Sequence, residues 1–475
     1  MIIIGRKKEK KEIERCIKSD KSELLCVYGR RRVGKTFLVE QTIGSYFAFR
    51  ATGLEKGNTR AQLRAFKERL IAYGDTNNTI PQNWFEAFSR LEKILSNDNA
   101  VTSEYGKKIV FFDEFPWFAT PKSDFLLAFE EYWNRCGTQY GNILFIICGS
   151  ATSWIMKNVI DNTGNLYHRV TSQLFIEPFT LAETEAYLNT KEFGWSREQI
   201  AECQMVFGGL PYFLSMLNSN ESFRQNVDRL IFAPRALLRD ETSRLLESTL
   251  KKNPIYGKIL KELSTHTYGM KRIDCKNVID AANGTFNRAI EDLEKCGYIT
   301  ESERWQEKGK PLYLQLIDPF LLFHYHFLDG NKPLENYEKL ISNTGAYVNW
   351  RGHAFEILCL LHIDQIKKAL GISGIETTTY PWLYSENKNL TQIDLVIERA
   401  DRITDICEIK YTDTPYVMSQ DSDTSLLKKR DLFKEITETK NAVKIILISA
   451  HGTSGTAYME HISEVLTIND LFEPI

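Results

Sequence analysis

The apolar run Leu24-Leu25-Cys26-Val27-Tyr28 feeds directly into Gly29-Arg30-Arg31-Arg32-Val33-Gly34-Lys35-Thr36, and Phe37-Leu38-Val39-Glu40 then begins a helical pattern. This order predicts a buried strand, a tight loop and a helix N-terminus in succession. The two glycines let the backbone curl so that successive N–H groups face one point, and the positive end of the helix reinforces them. Such a loop suits a chain of phosphates. The pattern GxxxxGK[ST] in that setting gives the phosphate-binding role to Gly29, Arg30, Arg31, Arg32, Val33, Gly34, Lys35, Thr36 and Phe37. Lys35 is expected to reach the β and γ phosphates, and the Thr36 hydroxyl to ligate Mg²⁺.

The strand rhythm returns downstream. Ile109-Val110-Phe111-Phe112 delivers Asp113 and Glu114 at its end, and the apolar run 143–148 ends in Gly149-Ser150. Short, nearly continuous apolar runs separated by helical patterns read as buried parallel strands, and open α/β sheets bind ligands at their C-terminal edge. Asp113 is expected to hold Mg²⁺, directly or through its water, and Glu114 to polarise an attacking water. Ser150 either hydrogen-bonds that water or the γ phosphate, or caps the next helix. Arg169 is a candidate for stabilising γ-phosphate charge, in cis or in trans; the alternative is an ordinary surface arginine.

With 475 residues and roughly 100–200 residues per domain, the chain is expected to hold about three domains. The 60 Lys+Arg against 62 Asp+Glu leave a net charge of −2, which excludes a broadly basic chain that coats nucleic acid. The opening MIIIGRKKEKKE lacks the apolar stretch of a signal peptide, and no run approaches a membrane span. Nine cysteines without a CxxC or a Cys/His ligand spacing point to a reducing, cytoplasmic compartment, without disulfides or structural zinc.

The motifs Ile4-Gly5-Arg6 with Glu9, the phosphate loop, Phe112-Asp113-Glu114, Gly149-Ser150 and Gly208-Gly209-Leu210-Pro211-Tyr212 together resemble the archaeal-type ATPases of the STAND branch of AAA+ proteins. The resemblance implies ATP and Mg²⁺ as ligands and places Pro211 next to the adenine or phosphates. A turn between helices is the structural alternative for residues 208–211. The helix opening at Arg6 is similar to the family's segment beside the base. Leu316-Ile317-Asp318-Pro319-Phe320-Leu321-Leu322-Phe323-His324-Tyr325 is similar to the signature that follows the winged helix in the same family, so the likeness covers almost the whole chain.

Near the C-terminus, Asp394 lies in an alternating run, and Ile406-Cys407-Glu408-Ile409-Lys410-Tyr411 forms the next. Because side chains alternate along a strand, Glu408 and Lys410 share one face, and a hairpin across 399–402 brings Asp394 to it. Two carboxylates and a lysine are the minimum for holding Mg²⁺ and activating a water for phosphodiester cleavage, and Glu356 on the preceding helix can complete the metal shell. The order Glu, Asp, Glu-x-Lys resembles the PD-(D/E)xK nuclease superfamily, with Ile393 where a proline is common. His353, Trp382 and Tyr411 nearby read as packing residues.

The expected architecture is therefore an α/β multidomain chain. It comprises a P-loop NTPase with an AAA+-like parallel sheet (1–180), a helical lid (181–245), a winged helix (246–330), a linker (331–346) and a restriction-endonuclease-like α/β domain (347–475). In the winged helix, residues 285–296 are the candidate recognition helix, carrying Asn287 and Arg288 against Glu291, Asp292 and Glu294; the wing 304–310 carries Lys308 and Lys310. DNA contact and a rigid spacer are both open readings of it. The expected function is an ATP-hydrolysing switch whose nucleotide state controls a nuclease-like domain acting on DNA. The alternatives are a STAND-type signalling ATPase with an inactive docking domain and a DNA-binding ATPase without nuclease chemistry. A homo-oligomer or a signalling partner fits either; a membrane does not.

Overall fold

A computed structural model describes the chain except residues 1, 45, 162–168, 251–252, 304–310, 330–335, 343, 387–388 and 456. Two compact units emerge: Met1–Glu177 with Glu247–Lys251, and Pro178–Leu246 with Lys252–Ile475.

The first unit is built on five strands, β1 (Glu23–Tyr28), β2 (Phe47–Thr52), β3 (Lys108–Asp113), β4 (Ile143–Gly149) and β5 (Ser172–Phe175). They form one all-parallel sheet in the order β2-β3-β4-β1-β5. Helices α1 (Lys7–Lys18), α2 (Lys35–Ile43), α3 (Thr59–Ala72), α4 (Trp84–Leu95) and α5 (Phe125–Tyr132) accompany it. Every residue of β1 and β4 is buried, as continuous apolar runs require of strands covered on both faces. Helix α4 begins where the Asn83 side chain caps the Glu86 amide, and it buries Trp84, Phe88, Leu91 and Leu95 along one stripe. They share one core with Phe112 of β3, whose ring stacks on Phe88 at 6.0 Å and meets Phe145 at 4.9 Å. Truncating Phe112 to alanine is expected to cost about 3–5 kcal/mol. The two edge strands escape the sequence pattern, because β2 carries Arg50, ion-paired with Glu40, and β5 is only four residues long.

In the second unit, residues 181–245 are helical, including α6 (Leu181–Asn189) and α7 (Arg197–Phe207). Each opens with a reciprocal capping box, Thr180 with Glu183 and Ser196 with Gln199. Between them and the next module, Pro211–Leu214 makes a single helical turn, with its proline at the first helical position. Next come α8 (Ile255–Ser264), β6 (Met270–Lys271), α9 (Arg272–Ile279), α10 (Asn283–Lys295), β7 (Ile299–Glu303) and β8 (Leu312–Leu316), then α11 (Pro319–Phe327). The short strands pair antiparallel in the order β6-β8-β7.

The C-terminal part starts with α12 (Thr344–Leu361) and continues through β9 (Thr377–Glu386), β10 (Asn389–Arg399), β11 (Ile403–Lys410), α13 (Gln420–Thr437), β12 (Ala442–Ser449) and β13 (Ile462–Thr467). Its sheet is mixed, in the order β13-β12-β11-β10-β9, antiparallel from β9 to β11 and parallel from β11 to β13. Helix α12 breaks at His362, and a further helix, Ile363–Ala369, follows. There the His362 ring bonds the Leu358 carbonyl at 2.8 Å and its Nε2 accepts the Leu181 amide at 2.9 Å. Burial pushes this imidazole down to about 4, so it stays neutral and serves as an internal cap. Strand β13 lacks a continuous apolar run; five of its six residues are half-exposed or exposed, including Glu464.

Candidate functional sites

The C-terminal ends of β1, β3 and β4 converge on the glycine loop. Gly29 sits at φ 140, and a Cβ there would lie 2.5 Å from the Ile176 carbonyl oxygen, so only glycine fits. Gly34 caps α2 without a side chain, which leaves the first N–H groups of that helix directed at the loop. Lys35 is 7% exposed, and its ammonium donates to the carbonyls of Gly29 and Arg30 at 3.0 and 2.7 Å. Burial lowers its pKa. The Thr36 hydroxyl stands 3.1 and 3.2 Å from the Asp113 carboxylate oxygens. This is an all-oxygen pair that fits a small hard cation such as Mg²⁺.

Glu114 takes a left-handed conformation, φ 48, which turns it away from the strand direction. Its amide donates to Asp113 Oδ1 at 3.0 Å, and its carboxylate accepts Ser150 Oγ at 3.1 Å. Ser150 therefore restrains Glu114. It does not cap the following helix, whose N-cap is Ala151. Arg6, also left-handed at φ 56, ties α1 to the loop through the Glu177 carbonyl at 2.6 Å and the Val33 carbonyl at 3.4 Å. Within the loop Arg30 and Val33 are buried, while Arg31, Arg32 and Phe37 are half-buried. Arg169 is exposed beside residues 162–168, which lie outside the described residues. Pro211 belongs to the second unit. The Gly208–Pro211 motif forms a turn there: a Cβ on Gly209 would meet the Phe179 carbonyl oxygen at 2.5 Å.

The second constellation lies on the mixed sheet. Leu395 pairs with Cys407, which sets Asp394 opposite Glu408. Asp394 Oδ2 accepts the Ile409 amide at 2.8 Å. Lys410 contacts Glu408 Oε1 at 2.7 Å, and Lys429, from α13, contacts Oε2 at 2.7 Å. Sequence reasoning missed Lys429, since one lysine in a helix rich in Lys and Asp carries no signal of its own. Burial works to raise the Glu408 carboxyl, but the two lysines outweigh it and hold it below its ordinary value. Asp394 goes the other way, pushed up to about 6 by burial and then by the charge of Glu408. Glu356 is raised well above its usual range by burial and by Asp394.

Among the described residues no three His, Cys, Asp or Glu side chains converge as a metal-holding group. The expected shell of Glu356, Asp394 and Glu408 is therefore brought into one electrostatic neighbourhood but not closed around a point. The reason is local: both Glu408 oxygens face ammonium groups, and one Asp394 oxygen serves a backbone amide. Nearby, Trp382 packs on Phe433 at 5.4 Å and Tyr411 on Phe355 at 5.1 Å.

On α10, the candidate DNA-reading residue Asn287 accepts Arg272 at 3.0 Å, and Asp292 accepts the Tyr256 hydroxyl at 2.7 Å, so both are engaged within their own module. Arg288 is exposed. The wing 304–310, with Lys308 and Lys310, lies outside the described residues. No helix among the described residues is long and apolar enough to cross a membrane.

Residues 3–217 match a family described as an ATPase domain predominantly from Archaea. An uncharacterized protein of Methanocaldococcus jannaschii is 24% identical over 338 residues, 70% of each chain. The solved Walker-type ATPase of Pyrococcus abyssi superposes with a TM-score of 0.50 at 16% identity, covering 68% of this chain and 96% of that one. The chain thus carries an archaeal-type P-loop ATPase domain, with a separate mixed sheet in its C-terminal region.

Proposed function

We propose that the chain is an ATP-hydrolysing switch whose nucleotide state controls a C-terminal PD-(D/E)xK-like domain acting on DNA. The nucleotide end rests on the domain match and on the pairing behind the loop. Lys35 would leave its two carbonyls for the β and γ phosphates, Thr36 and Asp113 would hold Mg²⁺, and Glu114 would orient and polarise the attacking water. Ser150 keeps Glu114 in place until then. Arg169 is proposed to steady γ-phosphate charge and Pro211 to lie against the nucleotide. The three helices and hairpin of residues 255–316 act as a winged helix between the two chemistries, so the division into ATPase, lid, winged helix and nuclease-like domain stands as part of the proposal.

The observation that carries the C-terminal half is Asp394, Glu408 and Lys410 assembled on one face of a mixed sheet, with Glu356 within electrostatic reach. A metal held by the carboxylates would supply an activated water, and Lys410 would steady charge on the phosphate. The test is plasmid cleavage in Mg²⁺ or Mn²⁺ by the intact chain. Cleavage lost in Asp394→Ala and Lys410→Ala supports the reading, whereas cleavage that survives both overturns it.

One observation favours a second reading, a docking domain without cleavage: both Glu408 oxygens are neutralised by lysines. Absence of cleavage with every metal, alongside normal ATP turnover, would select it. Salt-dependent DNA retention without cleavage would select a DNA-binding ATPase instead.

A further inference from the structure

The expected lid, residues 181–245, and the C-terminal part belong to one compact unit, and three separate fastenings join them. At the start of α6 the Leu181 amide donates to His362 Nε2 at 2.9 Å. At the start of α7 the Arg197 guanidinium lies over the Phe472 ring, 4.8 Å from its centroid, and donates to Asn469 Oδ1 at 3.1 Å. Farther along α7, Glu202 accepts the Tyr337 hydroxyl at 2.8 Å and the hydroxyl of Tyr347 on α12, while the two hydroxyls stand 3.1 Å apart.

Two of these fastenings converge on one element. Tyr347 stands near the start of α12, His362 lies just past its end, and both are held by the lid, with Glu356 between them. Phe355 of the same helix packs at 5.1 Å on Tyr411, which directly follows the strand β11 that carries Glu408 and Lys410. An α-helix is a stiff rod, so one gripped at both ends passes a displacement along its length. Burial strengthens the grip: Tyr337 and Tyr347 are 0% and 5% exposed, and little water reaches their bonds to compete. A single contact is a pivot. Three, spread over two helices, resist both turning and sliding.

We propose that the lid and the C-terminal sheet move as one piece, clasped at both ends of α12, so that a nucleotide-driven shift of the lid is delivered to the acidic end by rigid attachment, with no relay through the 255–316 module. The delivery rests on reading the chain as a nucleotide switch; the attachment itself does not.

All nine native cysteines are buried, so nitroxides attach to Lys191→Cys after α6 and Lys434→Cys on α13, both exposed positions, in the otherwise native full chain. The distance between them, read by double electron–electron resonance, should be narrowly distributed. Its width should grow about twofold with Arg197→Ala/Glu202→Ala, which leaves His362 as the one fastening of the three. It should grow about 1.5-fold with Tyr347→Phe, which keeps the ring and serves if the double variant does not fold. Glu185→Ala removes the partner that Arg197 has within the lid at 2.8 Å and should leave the width unchanged. Equal widths for the native pair and the double variant, or a Glu185→Ala chain as wide as the double variant, overturn the clasp. Hydrogen exchange tests the delivery. With a slowly hydrolysed ATP analogue, exchange across residues 344–361 should change at least about threefold in the native chain and less than about 1.5-fold in Arg197→Ala/Glu202→Ala. An equal change in both also overturns the proposal. If the analogue changes neither, the switch reading fails, while the distance widths still decide whether lid and sheet are one piece.

Discussion

The phosphate loop and the C-terminal acidic end both place a lysine beside carboxylates at the end of a strand, yet they hold their charges in opposite ways. In the loop, Lys35 is parked on two backbone carbonyls, and the acids face hydroxyls, Asp113 with Thr36 and Glu114 with Ser150. Among the described residues, neither Asp113 nor Glu114 is ion-paired with a cationic side chain. In the acidic end, Glu408 is gripped by Lys410 and Lys429, so any cation must first compete with two ammonium groups. The first arrangement is poised to bind; the second is held off. The difference separates a loop whose acids face hydroxyls from a carboxylate already neutralised by two ammonium groups.

The largest expected effect tests whether the two sites are separate. Lys35→Ala should lower ATP hydrolysis at least about 100-fold, measured as phosphate release, while Lys410→Ala leaves it within about twofold. A comparable fall in both variants would break the distinction. Glu114→Gln should slow hydrolysis by about 100-fold while nucleotide affinity changes by no more than about threefold. Equal turnover by that variant would remove Glu114 from its role.

A smaller effect concerns what the acidic end costs the fold. The Asp394 carboxyl is pushed from its ordinary 3.8 to about 6, so its charged form is disfavoured in the folded chain. That cost is fully present above the raised value and disappears below the ordinary one, where both states carry a neutral acid. Asp394→Asn should therefore stabilise the second unit by about 1–3 kcal/mol at pH 8 and by almost nothing at pH 4, read from urea unfolding midpoints. An equal gain at both pH values would mean that burial of this charge is not the cause. Smallest of all, Lys429→Met should tighten Mn²⁺ binding about threefold by freeing one Glu408 oxygen. Weaker binding would mean that Lys429 supports the metal site instead of competing with it.

How much of this was legible in the sequence follows from how each site is encoded. The phosphate loop is one continuous stretch whose backbone does the binding, so residue order alone places it between β1 and α2. The Asp113–Glu114 pair is readable because four apolar residues announce the strand that carries it. By contrast, the Glu114–Ser150 bond joins different strands, and Lys429 reaches Glu408 from a helix 21 positions away. Such pairings exist only once strand order is set, and nothing local encodes it. Edge strands β2, β5 and β13 escaped for a related reason: an edge is half-solvated and tolerates Arg50 or Glu464, which blurs the apolar run. The break at His362 was hidden because its cause, the Leu181 amide, lies 181 positions away.

The central claim is that the nucleotide held by the loop controls chemistry at the acidic end. Its most direct test is the rate of plasmid nicking in Mn²⁺, measured with and without ATP for the intact chain and for Lys35→Ala. The account predicts a rate that changes with ATP in the native chain and is indifferent to it in Lys35→Ala. Nicking by the native chain at the same rate with and without ATP would contradict it.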